Sequence, residues 1–546
     1  MAIGNEATPP ERGERRRAAW LALGLGVAAI LAGLPGLSEI GVTWDEPRYF
    51  QSVERIQEWT ARAAGGELSE MLRPEAIREA WDVDRFFNPH PPAYKIGMAV
   101  TEAMFGGLVG EVAGYRLSSL LAFGLLVGLL VAWTARLAGT TAGLATGLSL
   151  LLMPRMFGHA HIGATDLPLT LCWVVGSLGV LLYAREERVR WILVAGLAFG
   201  LGCATKFTAF LLPVPLIAWM LLAARSRAAV RGLIFTTALA MIVAVLVNPA
   251  AWPDPIGYQS RLVGESLSRE SVVPISTFYA GRTFGYVVPW QHAIVMTVAS
   301  LPVAILALAV IGLRSLKSPG PRRAVVALCL VQVAFWWGLL ALPSSPNHDG
   351  VRLWLPMFPF VAILAGLGFD ALARGVERRM GRARRLAGAL LLGVLYFGPA
   401  AVGLVSTAPH HLAYYGEAVG GPAGAERRGM EATYWFDAVT AGFRDRMNEA
   451  LPEGATIRTY PNAPYLAQLQ ELGLVRSDLR FTDTLPADYL LLLARKAMFT
   501  RNWNSVYRNA RPELAVELDG VELVGLYRWN EGRGEGADAP DGGEVE

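Results

Sequence analysis

Eleven apolar runs set the terms on which this chain can fold. They lie at approximately 18–37, 113–135, 138–155, 166–184, 190–204, 206–223, 230–248, 292–313, 323–342, 352–373 and 386–405. A helix needs about 20 apolar residues to cross a bilayer. Inside lipid each segment must also satisfy its own backbone groups, which helices do without help. The composition agrees. Of 546 residues, 53% are hydrophobic and only 17% charged, against about 25% charged in soluble domains. The expected fold is an α-helical polytopic membrane protein with about 11 transmembrane helices. The net charge of +3 is uninformative, and no nucleic-acid partner is expected. Membrane lipids are the expected surroundings.

The placement of basic residues orients the spans. Arg12, Arg15, Arg16 and Arg17 precede the first run; Arg185, Arg188 and Arg190 follow the fourth. Arg225, Arg227 and Arg231 follow the sixth, and Arg314, Lys317, Arg322 and Arg323 the eighth. Arg374, Arg378, Arg379, Arg382, Arg384 and Arg385 follow the tenth. All fall on one side, which the positive-inside rule makes the cytoplasm. The N-terminal run has no small-residue cleavage site and reads as a retained signal anchor. The expected organisation is a basic cytoplasmic N-terminus (1–17), a transmembrane domain (18–405) with a large first outer loop (38–112), an extracytoplasmic α/β domain (406–530) and a disordered tail (531–546). The α/β reading rests on β-prone runs at Ala455–Tyr460, Tyr489–Leu493 and Leu523–Trp529 and a helical pattern at Asp437–Leu451. The tail reading rests on Gly- and acid-rich composition. Cys172, Cys203 and Cys329 lie in apolar runs and give neither a metal spacing nor a disulfide framework.

The outer face holds the residues that bear chemistry. Asp45 and Glu46 follow the first span directly. A carboxylate there can take a proton from an acceptor, or simply favour the start of a helix, with Pro47 in its first turn. The apolar stretch Pro91 to Val109 reads as a helix lying at the membrane surface, preceded by the rigid turn Asn88-Pro89-His90-Pro91-Pro92. His90 and Lys95 there would face an anionic group. Asp166 starts the fourth span on the same side. His159-x-His161 has the ligand chemistry for a divalent metal, with a solvated loop as the alternative. Arg116, Lys206 and Arg352 sit at outer span ends, where cations are disfavoured. They call for carboxylate or phosphate partners. For Arg352 the alternative to phosphate is a local pair with Asp349. Carboxylates plus cations on one face are what transfer from a lipid phosphate requires.

These motifs, in order, resemble the GT-C superfamily of polyprenyl-phosphate-sugar-dependent glycosyltransferases. The bacterial aminoarabinose–lipid A transferases and the protein O-mannosyltransferases look nearest. Trp44-Asp45-Glu46-Pro47-Arg48-Tyr49 is similar to their first-loop acidic motif, and His90-Pro91-Pro92-Ala93-Tyr94 to their His-Pro-Pro turn. Thr165-Asp166-Leu167-Pro168 is similar to their second-loop Asp, and Gly202-Cys203-Ala204-Thr205-Lys206 to their Thr-Lys element. Arg352-Leu353-Trp354-Leu355-Pro356 with Phe358-Pro359 resembles their Arg-x-x-x-Pro-x-x-Pro span. Tyr414-Tyr415-Gly416-Glu417 with Gly420-Gly421 resembles a segment after their last span. The resemblance covers residues 1 to about 440. It implies an eleven-to-thirteen-span GT-C-like fold, a lipid-linked donor, inversion at the sugar carbon, and Asp45 as the catalytic carboxylate. The chain departs from the aminoarabinose enzymes in a longer first loop, in His90 where they carry Lys, and in the His-x-His.

The resulting expectation is an inner-membrane glycosyltransferase, multi-pass, with active face and C-terminus extracytoplasmic. It would transfer a sugar from a polyprenyl-phosphate donor to a hydroxyl of a protein, lipid or glycan. Asp45, Glu46 and Asp166 are the expected catalytic residues. Tyr49, His90, Lys95, Arg116, Lys206 and Arg352 are the expected substrate contacts. His159 and His161 would ligate a divalent ion if one is used. The alternatives are a transporter or flippase for a lipid-linked or anionic substrate, against which the charges cluster at one face and not at mid-membrane, and a non-enzymatic scaffold for the C-terminal domain.

Overall fold

The structure is a computed structural model and describes residues 12–82, 90–267, 275–318, 320–380, 385–484 and 486–529. The N-terminal residues 1–11, Asn88-Pro89 and the tail expected to be disordered lie outside the described residues. Eight helices among the described residues are long and apolar enough to cross a membrane. The pair His292–Ala299 and Val303–Lys317, bent by 112°, makes a ninth when counted as one span. The runs at 138–155 and 190–204 fall on shorter apolar helices, Thr140–Leu151 and Val189–Cys203. Each begins or ends beside a glycine or a turn that shortens it: Gly139 with φ +104° precedes the first, and Ala204–Lys206 turn at the end of the second.

Two spans form the centre of the bundle. In Asp166–Glu186 and Arg352–Arg379, 89% of the apolar window is buried, against 22% and 17% for the first and last spans. The central pair is therefore shielded along most of its length, and it carries Asp166 and Arg352 at its N-terminal ends. The opposite end gathers several basic residues. Arg17, Arg136, Arg190, Arg322 and Arg374 line one cavity of about 1660 Å³ there. Arg322 and Arg374 share Asp370, each at 2.7 Å. The three cysteines are free and buried.

The first outer loop is mostly helical. Glu46–Arg62 buries Tyr49, Phe50, Val53 and Ile56, an i, i+1, i+4, i+7 spacing that keeps them on one helix face. Pro74–Trp81 packs Ile77 and Trp81 against Ile56. The Pro91–Val109 stretch forms the helix Ala93–Val109. It is not among the spanning helices and packs along Glu111–Ala138 and Glu46–Arg62.

A short hairpin, β1 (Thr277–Tyr279) with β2 (Arg282–Phe284), lies in the loop before His292. After the last span, the chain builds one five-stranded sheet. Its order is β4 (Arg480–Thr482), β3 (Thr456–Tyr460), β5 (Tyr489–Leu493), β7 (Val521–Arg528), β6 (Leu514–Leu518). β3 runs parallel to β4 and β5, whereas β7 is antiparallel to β5 and β6. All five residues of β5 are buried, as the central strand of a two-faced sheet must be. This α/β unit is not a loose appendage. Its core is continuous with the outer loops: Val42, Tyr49, Phe50 and Tyr115 share one apolar cluster with Phe443, Ile457, Leu491 and Leu526.

Candidate active site

The connection from the first span to Asp45 is laid against the start of the C-terminal region. Gly41 N donates to Asp437 O at 2.9 Å and Trp44 N to Trp435 O at 3.3 Å. The Tyr465 hydroxyl donates to Val42 O at 2.6 Å. A Cβ on Gly41 would sit 2.6–2.8 Å from three carbonyl oxygens of this segment, so only glycine admits the approach.

Asp45 precedes the first turn of Glu46–Arg62, with Pro47 in that turn, yet its side chain makes no capping bond. Its Oδ2 instead accepts from Arg352 Nη1 at 3.0 Å and from Trp435 Nε1 at 2.9 Å. The side chain stays 28% exposed. Among the described residues Oδ1 takes no hydrogen bond, which leaves a carboxylate oriented on one oxygen and open on the other. The Arg352 guanidinium lies 4.4 Å over the Trp435 ring and reaches Asp349 at 3.4 Å. Asp349 in turn pairs with Arg495 at 2.9 Å. Burial works against the charge on Asp349, but Arg495 and Arg352 hold its carboxyl below the usual range. Arg495 is fully buried, stacks 4.4 Å over Trp44 and donates to Tyr434 O. The chain Arg495–Asp349–Arg352–Asp45 thus ties the C-terminal domain to the residue after the first span. Both expected partners of Arg352 are present, the local Asp349 and the distant Asp45.

A second pair stands nearby. Lys206 Nζ meets Asp166 Oδ1 at 2.7 Å, with both side chains buried. His159 lies between the two pairs, within electrostatic reach of Asp166, Arg352 and Lys206. Its ring is 5.9 Å from that of Trp435.

Glu46 and Arg116 are placed elsewhere. Glu46 is fully buried and grips Arg116 through two bonds of 2.7 Å. It also accepts from Gly163 N and Thr43 N at 2.8 Å, and from the Thr43 hydroxyl. Arg116 spends its remaining donors on the carbonyls of Leu37, Ile40 and Gly41 at 2.8–2.9 Å. Every face of both groups is occupied within the protein, and the pair braces the turn that presents Asp45.

His90 and Lys95 are buried, and Lys95 Nζ donates to His90 O at 3.0 Å. Burial, reinforced by Arg55 and opposed by Asp82, lowers the Lys95 amine to about 7. Tyr49 is buried edge-on to Tyr94 at 5.5 Å. His161 turns away from the site: its Nδ1 lies 2.7 Å from Phe157 O and its Nε2 2.9 Å from Gly33 O. Among the described residues no three His, Cys, Asp or Glu side chains converge as metal ligands. Both ring nitrogens of His161 thus lie against backbone carbonyls.

Trp435, Arg495 and the coupling of Asp349 to both arginines escape reasoning from sequence. The available signal was the run Tyr434-Trp435-Phe436-Asp437, aromatic and acidic, at the start of the region read as the α/β domain.

This end of the bundle, with paired charges at the outer ends of two buried spans and a carboxylate after the first, sits on the GT-C glycosyltransferase fold. The crystal structure of ArnT from Cupriavidus metallidurans bound to undecaprenyl phosphate superposes with a TM-score of 0.51 at 15% identity, covering 92% of this chain and 97% of that one. Residues 89–252 match the family model described as dolichyl-phosphate-mannose-protein mannosyltransferase. The chain is thus a membrane protein of GT-C fold, similar to ArnT and to the protein mannosyltransferases. Archaeal oligosaccharyltransferase AglB from Archaeoglobus fulgidus, in complex with an inhibitory peptide and a dolichol-phosphate, is also similar, with a TM-score of 0.46 and 13% identity over 79% of this chain and 58% of that one. Comparison with curated protein sequences gave no match.

Proposed function

We propose that the protein is a glycosyltransferase that moves a sugar from a polyprenyl-phosphate donor to a hydroxyl acceptor. The reaction would take place on the extracytoplasmic face of the inner (plasma) membrane, with the C-terminal domain on that same face. The observation that carries the reading is Asp45, held through Oδ2 by Arg352 and Trp435 and open at Oδ1. In this reading Oδ1 takes the proton of the acceptor hydroxyl. The acceptor oxygen bonds to the anomeric carbon as the bond from that carbon to the phosphate oxygen breaks, opposite the attack, so the configuration inverts. The polyprenyl phosphate leaves with the electron pair. Arg352 and Lys206 supply positive charge on that side, each shared with a carboxylate, and Asp166 fixes Lys206.

The similarity to a structure holding undecaprenyl phosphate supports the lipid-linked donor. A transporter or flippase would place its charges at mid-span, whereas Asp45, Asp166, Lys206 and Arg352 stand at span ends. The test is release of sugar from a radiolabelled polyprenyl-phosphate sugar by purified protein with membrane extract as acceptor. Turnover by wild-type protein and its loss in Asp45→Asn support the reading. Equal turnover by both would remove Asp45 from the chemistry.

A further inference from the structure

The site as described has its cations neutralised. Lys206 sits on Asp166 at 2.7 Å, and Arg352 on Asp45 at 3.0 Å and Asp349 at 3.4 Å. A leaving phosphate carries more negative charge than these pairs leave uncompensated, so an uncommitted donor group is the feature to look for.

Arg155 is such a group. It is the second residue of the short helix Pro154–His159 and is 1% exposed. Its Nε donates to Tyr414 O at 2.8 Å, and the guanidinium lies 4.5 Å over the Tyr415 ring. Those contacts fix the plane of the fork: Tyr415 lies within hydrogen-bonding reach of the guanidinium, and neither Nη1 nor Nη2 meets a partner in full hydrogen-bond geometry. A buried guanidinium with two orphaned nitrogens is costly unless an anion completes it. One helical turn on, and therefore on the same face, His159 is 2% exposed with an orphaned Nε2. Burial lowers its imidazole to about 4, with Asp166 opposing. It is therefore neutral at physiological pH and can offer one N–H. Tyr434, also buried, adds an orphaned hydroxyl within electrostatic reach of Arg155.

The nearest internal alternative is Asp437. It is buried and within reach of Arg155, yet its own Oδ1 is orphaned too. Arg155 favours the charge on Asp437, but burial outweighs it and pushes the carboxyl up to about 7, so the compensation is only partial. Trp435 links this cluster to the chemistry: its Nε1 holds Asp45 at 2.9 Å and its ring is 5.9 Å from His159.

We propose that Arg155 and His159 form an anion subsite that takes the phosphate of the lipid-linked donor, with the Arg155 fork binding two phosphate oxygens and His159 Nε2 a third contact. This deepens the glycosyltransferase reading and rests on it. It moves the principal phosphate contact from Lys206 and Arg352, which orient the carboxylates, to a residue of the second outer loop. Guanidinium suits the task because its parallel N–H groups match two phosphate oxygens, a geometry lysine cannot reproduce.

The test uses the full chain in detergent, with undecaprenyl phosphate and undecaprenol as probes and tryptophan fluorescence as readout. Wild-type protein should prefer the phosphate. Arg155→Gln should weaken undecaprenyl phosphate on the order of tenfold to a hundredfold, the range for losing hydrogen bonds to a charged group, and leave undecaprenol unchanged. Arg155→Lys should lose less, and it serves in its place if Arg155→Gln does not remain monodisperse. Asp437→Asn should leave phosphate affinity unchanged. If wild-type protein binds both lipids equally, the donor reading itself falls, and the subsite with it. If wild type prefers the phosphate and both Arg155 variants keep that preference, Arg155 only braces Tyr414 and Tyr415, and the subsite alone is overturned. Equal losses in Asp437→Asn and Arg155→Gln would mean an internal Arg155–Asp437 pair, and would overturn it as well.

Discussion

Replacing Glu46 by Gln separates architecture from chemistry at two neighbouring acids. The structure gives Glu46 five hydrogen bonds: two from Arg116, one from Gly163 N, and two from the Thr43 amide and hydroxyl. All five donors of the Arg116 fork are also used, two on Glu46 and three on carbonyls. Breaking a buried pair of this kind by removing one charge costs about 3–5 kcal/mol. Glu46→Gln and Arg116→Met should each lose that much. Substituting the pair with apolar residues is often neutral in other proteins. Here it would strand the amides of Thr43 and Gly163 and the carbonyls of Leu37, Ile40 and Gly41. The double variant Glu46→Leu/Arg116→Met should therefore cost less than the sum of the single changes but remain well below wild type. The assay is the monodisperse fraction surviving a heat ramp in detergent, measured beside sugar turnover. A Glu46→Gln protein with wild-type heat resistance and abolished turnover would refute the argument and restore Glu46 to the chemistry.

Asp45→Asn should behave in the opposite way, keeping heat resistance while turnover falls by about 10²–10⁴-fold, the usual worth of a general base; steady-state rates on a labelled donor decide it. Arg495→Ala, far from Asp45 in sequence, should lower turnover through Asp349 and Arg352, and a circular-dichroism melt should separate that effect from simple unfolding. Lys95 carries a pH signature. Its amine is held near 7 when folded and titrates near 10.4 when unfolded, so the unfolded chain binds more protons between those values and stability rises with pH across that window. The gain in heat resistance from Lys95→Met should accordingly be largest at and below pH 7 and fade toward pH 10, and a gain independent of pH would contradict a buried amine. A single cysteine at position 513, in a background without the three native ones, should react with an impermeant maleimide in intact cells; labelling only after lysis would reverse the assigned orientation.

Much of the bundle was legible because lipid imposes a simple length rule. The apolar runs mark helices, and four of the basic residues that flank them, Arg17, Arg190, Arg322 and Arg374, line one cavity. Asp166 and Lys206 were legible as charges needing partners, though not that each would be the other's. Asp45 and Glu46 could not be told apart in the sequence. Adjacent positions at a helix start point in different directions, and only the packing decides which faces a buried arginine. The Asp45 environment was the least legible. Its partners lie 307 and 390 residues away, and no periodicity encodes such a pairing. Arg155 was overlooked although it belongs to the same class of outer-side cations as Arg116. It stands one residue before the stretch that reads as the loop.

The Arg495–Asp349–Arg352–Asp45 chain also sets an order of events in biosynthesis. Asp45 emerges from the ribosome among the first residues, and the spans that carry Asp166, Lys206 and Arg352 follow in sequence. Trp435 and Arg495 arrive only after all of these spans, and β5, which leads into Arg495, needs β7 beside it. The Asp45 carboxylate, made before the spans, therefore waits for residues made after them before it is oriented. A ribosome that stops early leaves a protein that is fully inserted and still without its finished centre.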